Sequence, residues 1–197
     1  MNQNNILRFK KDIRYDLLVP PLGFDFQGMT SKQAQSNFDW FISKIPERTD
    51  YLTTRCSEDL KISRTCLDYT AESLTLIWKW FLQTARVEKT PKEELEKMKV
   101  SAKIFGESFI NYEQLSVATK YIIRDIGMYT GQCFVLNYPI LHWDFRTKPK
   151  NSIMVNKPLI AGFSTTYKGR TGELLFEPMQ MVEVQAAKIF DKTQDDS

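Results

Sequence analysis

One histidine, His142, serves the whole 197-residue chain. Hydrolytic metal chemistry gathers several His, Cys or carboxylate ligands on one ion, and neither His-x-x-x-His nor Cys-x-x-Cys spacing occurs. The cysteines are Cys56, Cys66 and Cys133. Their number is odd and their spacings match no zinc or redox motif, so reduced structural thiols in a cytoplasmic protein are expected. Neither G-x-x-x-x-G-K-[ST] nor G-x-G-x-x-G is present, and no cofactor or metal is expected. Gly169-Arg170-Thr171-Gly172 resembles an anion loop, but no helix start follows it, and residues 165–172 read as a polar surface loop. No run approaches the ~20 apolar residues that span a bilayer, which predicts no membrane partner. The polar opening Met1-Asn2-Gln3-Asn4-Asn5, with no long apolar run behind it, predicts no leader and a cytoplasmic location. Charge of neither sign dominates. The 27 basic and 24 acidic residues leave a formal +3, too balanced to argue for nucleic acid.

The chain is 42% hydrophobic and 26% charged, ordinary for a globular protein with a real core. A single domain over 1–197 is expected, residues 100–112 being the one candidate boundary. The strongest element is central. Leu115, Ala118, Ile122, Ile126, Tyr129, Cys133 and Leu136 recur at three and four residues, a helical face. Ser116 supplies an N-cap and Pro139 prevents continuation. Gly127 and Gly131 each cost up to roughly 1 kcal/mol against alanine in a helix, which calls for close approach by a neighbour. The expectation is a helix walled in on more than one side, serving as scaffolding and lining no reaction chamber. Leu141, Trp143 and Phe145 then alternate with His142 and Asp144, the period of a half-buried strand.

Before this helix the pattern is helical. Residues 1–29 stay ambiguous between helix and strand over 5–18, with Leu22, Phe24 and Phe26 in a loop lying on the core. Thr30 and Gln33 form a capping box. The stripe that follows continues past Pro46, so one kinked helix and two abutting helices are both allowed. Residues 57–69 read as a polar connection with a short helical turn. Thr70 caps a helix reaching about Val87, with Leu74, Ile77, Trp78, Phe81 and Leu82 inward. Trp80 falls off that stripe, and an exposed tryptophan would make an interface anchor. Thr90-Pro91-Lys92-Glu93 reads as a second capping box, and residues 100–115 as irregular. Beyond Phe145, short strands are expected at 153–155 and 159–163 and a last helix from Pro178 to about Phe190, with a frayed tail. Helices in the first two thirds and a small sheet of short strands near the C-terminal third predict an α+β fold.

Candidate chemistry is thin. Asp125 sits mid-helix on an apolar element and Asp144 on the following strand; packed together they could do acid–base work, with His142 as a further group. The competing reading has Asp125 satisfied by a lysine, an arginine or a backbone N–H. Pairing Cys133 with His142 is disfavoured because a thiol on the apolar stripe is inert. The densest basic patch, Arg146, Lys148, Lys150 and Lys157 beside Trp143 and Phe145, could hold phosphates or an acidic protein partner.

Three stretches carry a resemblance: Phe38-Asp39-Trp40-Phe41 leading to Ile45-Pro46-Glu47-Arg48; Leu67 to Leu74 leading to Trp78-Lys79-Trp80; and Asp125 to Gly131 leading to Trp143, then Asn156-Lys157-Pro158. Together they resemble small, mostly uncharacterised bacterial proteins, some similar to immunity proteins of toxin systems. In that pattern an acidic residue often follows the second glycine; Gln132 stands here. The resemblance implies a cytoplasmic α+β protein without known catalysis and transfers no catalytic residue. The expected function is non-enzymatic binding of a protein partner, as by an immunity-type inhibitor. The tentative surface is Trp80, His142, Trp143, Asp144, Arg146, Lys148, Lys150 and Lys157. The alternatives are an enzyme using Asp125, Asp144 or His142, and a nucleic-acid binder through residues 146–157.

Overall fold

The computed structural model describes residues 15–107, 110–167 and 169–195. The choice between helix and strand at residues 5–18 falls largely on residues 1–14, outside that set. Residues 15–20 have no regular structure, and turns follow at 21–28. This strap leads into the first helix, α1 (Ser31–Leu60). Its start is fixed by Thr30: the hydroxyl accepts from the Gln33 N–H at 3.3 Å, and the Gln33 side chain accepts from the Thr30 N–H at 2.9 Å, so two orphan donors are satisfied reciprocally. The helix is continuous through Pro46. Its buried face runs Ala34, Asn37, Phe41, Ile45, Arg48, Leu52, Cys56, a three-and-four spacing with one arginine inside it. Lys61, at φ 56°, closes the helix, its N–H donating to Ser57 and Glu58 carbonyls.

A short 3-10 turn, Arg64–Cys66, leads to α2 (Ala71–Thr84), capped by Thr70. The expected extension to Val87 does not occur. Val87 opens β1 (Val87–Lys89), which pairs antiparallel with β2 (Glu113–Leu115), register Val87↔Leu115. Between them lies α3 (Lys92–Phe105). Two corrections follow. Much of the supposed irregular segment is helix and strand. The second capping box also does not form, because Thr90 turns away: its hydroxyl donates to the Asn111 carbonyl at 2.7 Å and its N–H to the Tyr112 carbonyl at 2.9 Å.

The central helix is α4 (Val117–Asn137), with Ser116 accepting from the Thr119 N–H at its start. From Asp125 to Gly131 every residue is buried, whereas Leu136, counted on the inward stripe, is exposed. The two glycines meet different neighbours. A Cβ at Gly127 would stand 2.7 Å from the Met179 Cα, and one at Gly131 would fall within the Trp143 indole. After the turn come β3 (His142–Asp144), β4 (Leu159–Tyr167) and β5 (Arg170–Phe176), an antiparallel sheet in the order β3-β4-β5. Residues 153–155 form turns, with only Val155 in an isolated bridge to Arg146. Residues 165–167 and 170–172, read as loop, are instead the distal arms of the β4–β5 hairpin. Their side chains at 164–166 and 171–174 are exposed on both faces, so no inward–outward alternation marks them. The last helix, α5 (Pro178–Asp195), starts at Pro178 as expected and continues past Phe190.

The fold is α+β. One core gathers Leu52, Cys56, Ile77, Phe81, Ile122, Ile126, Tyr129, Val182 and Ala186 between α1, α2, α4 and α5. A second, smaller one joins Phe41 and Ile45 to Met128, with Trp143 and Met179 against it. No helix among the described residues is long and apolar enough to cross a membrane.

Candidate functional site

A cleft of about 310 Å³ opens between the strap, α1, the first half of α4 and the start of α5. The expectation that α4 lines no chamber is therefore overturned for its first half: Lys120, Tyr121, Ile123, Arg124, Asp125 and Met128 all border the cleft. Trp40 and Phe41 of α1 form one wall, and the strap, through Phe24 and Phe26, lines another. Its far end is pinned by the Asn156 side chain, whose Nδ2 donates to the Phe26 and Met29 carbonyls at 2.8 and 3.2 Å.

Asp125 is 2% exposed. Four contacts reach its carboxylate, all from donors. Tyr15 Oη donates to Oδ2 at 2.6 Å, Arg48 Nη2 to Oδ2 at 2.6 Å, and Arg48 Nε to both oxygens at 3.1 and 3.2 Å. Arg48 is 1% exposed, and its Nη2 also donates to the Asp16 carbonyl at 2.7 Å. Its guanidinium lies 4.9 Å from the Tyr51 ring centroid. Burial pushes the Asp125 carboxyl up from the ordinary carboxylate value against the pull of Arg48 and Tyr15. Burial also raises the Tyr15 phenol well above its usual value, with Asp125 adding to it. An all-donor shell serves the ionised carboxylate, so Asp125 is held as an acceptor by Arg48 and Tyr15. Pairing with Asp125 outweighs burial at Arg48 and holds the guanidinium above its usual value.

Glu177, just ahead of α5, repeats this arrangement at the other end. It is buried, and Lys157 Nζ meets its two oxygens at 3.1 Å each. Burial raises its carboxyl, and Lys157 draws it back. Arg124 differs. Its guanidinium carbon stacks 3.3 Å from the Phe24 ring centroid and 5.0 Å from that of Tyr121. Burial lowers its pKa, partly offset by the charges of Tyr121 and Glu183 and by a side-chain hydrogen bond with Tyr121. Asn37 also borders the cleft. It is 4% exposed, and its Oδ1 receives no donor among the described residues.

No protein-family model, curated protein or solved structure matches the chain.

The residues singled out from sequence are dispersed. Of these, Asp125 and Lys157 border the cleft. Trp143 is half-buried, its ring against Phe41 at 5.1 Å and its Nε1 donating to Gln132 Oε1 at 3.1 Å. His142 is exposed on the edge strand β3. Asp144 pairs with Arg146, which also grips both Glu173 oxygens at 2.9 Å. Lys148 and Lys150 are exposed, and Lys150 Nζ lies 3.4 Å from the Met29 carbonyl. Trp80 is corrected: it is 1% exposed, packed into the main core, with Nε1 donating to Asp59 Oδ2 at 2.8 Å. A buried indole with its N–H satisfied is a core residue, not an anchor.

Asp125, Asp144 and His142 are not brought together; each faces a different set of neighbours. Among the described residues no group of three His, Cys, Asp or Glu could hold a metal ion. Burial pushes the Cys56 and Cys133 thiols up to about 12, which leaves them protonated and unreactive. Sequence reasoning passed over Arg48, Asn37 and Arg124. The first two carried a usable signal, since both fall on the three-and-four spacing of the buried face of α1. Polar residues there demand a partner.

Proposed function

We propose that this is a non-enzymatic binding protein whose cleft receives a ligand. The observation that carries the reading is the pre-pairing of both buried carboxylates: Asp125 with Arg48 and Tyr15, Glu177 with Lys157. General-base or nucleophilic chemistry needs a group with capacity left for substrate. What remains is an apolar wall, with Trp40, Phe41, Ile123 and Met128 among its residues and Lys120 and Arg124 beside it, the makeup of a recognition site. Saturation-transfer NMR against a mixed set of organic acids, amines and neutral aromatics tests it. Expected are binders whose amide shifts converge on Trp40, Ile123, Arg124 and Met128 and which are recovered unchanged after prolonged incubation. Conversion of a binder to product, or a set with no binder in the cleft, contradicts it.

A second reading, immunity-type inhibition of a protein toxin from a cytoplasmic location, is supported by a different face. Tyr138, Ile140 and Ile153 are 56%, 72% and 63% exposed, and they share the segment of His142, Lys148 and Lys150. Exposed apolar groups with a basic rim fit an acidic protein partner. Nucleic acid is less favoured there, since Arg146 and Lys157 are already paired with acids.

A further inference from the structure

We infer, resting on the binding reading of the cleft, that it selects small organic monoanions: a carboxylate paired with Arg124 and an aromatic or aliphatic body against the apolar wall. The charge count leads here. Six charged side chains border the cleft, Lys120, Arg124, Asp125, Lys157, Glu177 and Glu183. Asp125 is taken by Arg48, and Glu177 by Lys157. Lys120 and Arg124 then stand against Glu183 alone. Lys120 Nζ donates to Gln114 Oε1 at 2.8 Å, while Arg124 hydrogen-bonds with Tyr121, which occupies only part of its guanidinium donors.

A guanidinium stacked on Phe24 presents its N–H edge in a fixed plane, the geometry that takes a carboxylate bidentately. Two cations set against the single carboxylate of Glu183 also favour an anion that restores the balance. The cleft, about 310 Å³, lies at the small end of ligand pockets, which run roughly 300–1,000 Å³. That size suits a single amphipathic acid.

Isothermal titration of the full chain with three probes of one shape tests this. They are N-acetyl-phenylalanine, its uncharged carboxamide, and phenethylamine. The acid is expected to bind at least about tenfold more tightly than the carboxamide, and phenethylamine to bind worst. Arg124→Gln keeps the apolar stem and should bring acid and carboxamide level. Glu183→Gln removes the opposing charge and should tighten the acid alone, a readout that does not need the arginine variant to fold. Carboxamide or amine binding as tightly as the acid in the cleft overturns the anion inference and leaves the binding reading standing. Failure of all three probes also overturns it, whereas the binding reading falls only if the wider compound set finds nothing.

Discussion

Arg48 shows how much one residue can settle. It occupies a position on α1 that periodicity reserves for an apolar side chain, and it is buried there because Asp125 of α4 and the Asp16 carbonyl of the strap both need its donors. Three separate parts of the chain meet at this one guanidinium. Gly131 is the steric counterpart. The Trp143 indole fills the space where a side chain would be, and the rigid bicycle is itself held by Phe41 and Gln132. Gly131→Ala is expected to destabilise by about 1–3 kcal/mol, the range for overpacking. Urea unfolding measures it, and Trp143→Leu in the same chain should return part of the loss. Unchanged stability for Gly131→Ala would mean that the indole moves aside freely.

At the level of elements, α4 has two characters along its length. Its second half is enclosed, with Tyr129 as the clearest case: its hydroxyl accepts from the Tyr69 N–H and shares a hydrogen bond with Ser73, both at 2.8 Å. Burial raises the Tyr129 phenol to about 12, as it does Cys133 on the same helix and Cys56 on α1. The unfolded chain loses these protons nearer their ordinary values, about 8.5 for a thiol and 10 for a phenol. Between those values and 12 the native state binds more protons, so stability falls as pH rises. Thermal melts should be flat with respect to these groups up to about pH 8.5 and decline above it, and Cys133→Ala should shallow the decline. A melting temperature constant up to pH 11 would contradict the burial of these groups. The first half of α4 faces the cleft, and its sequence gave no warning. The stripe of Ile122, Ile123 and Ile126 looks equally enclosed, and only the path of the strap leaves a space beside it.

On the scale of the molecule, the strap, the five helices and the two small sheets of the described residues divide into a legible part and an illegible one. The helices with strong caps were legible, because Thr30, Thr70 and Ser116 each mark a start and the three-and-four spacing marks the face. The distal β4–β5 hairpin was not, because its exposed arms carry no alternation. β1 and β2 were missed because three residues are too few to show a period. The reading of Asp125 as satisfied by an arginine was available from sequence; that Arg48 was the arginine depended on the packing of α1 across α4. The cleft was illegible for a further reason. It exists between elements distant in sequence, and residues 15–29 have no period to say where they lie.

The account therefore rests on Asp125 being an anchor that ties the strap and α1 to α4, beneath a cleft that binds and does not react. A double-mutant cycle on Asp125 and Arg48, read by denaturant unfolding, tests this most directly. Asp125→Leu and Arg48→Met should each cost about 3–5 kcal/mol, because each strands a buried charge. The double substitution, which strands none, should recover a large part of that loss. A carboxylate kept for chemistry gives the opposite result, with Asp125→Leu as stable as the native protein or more so and no coupling to Arg48.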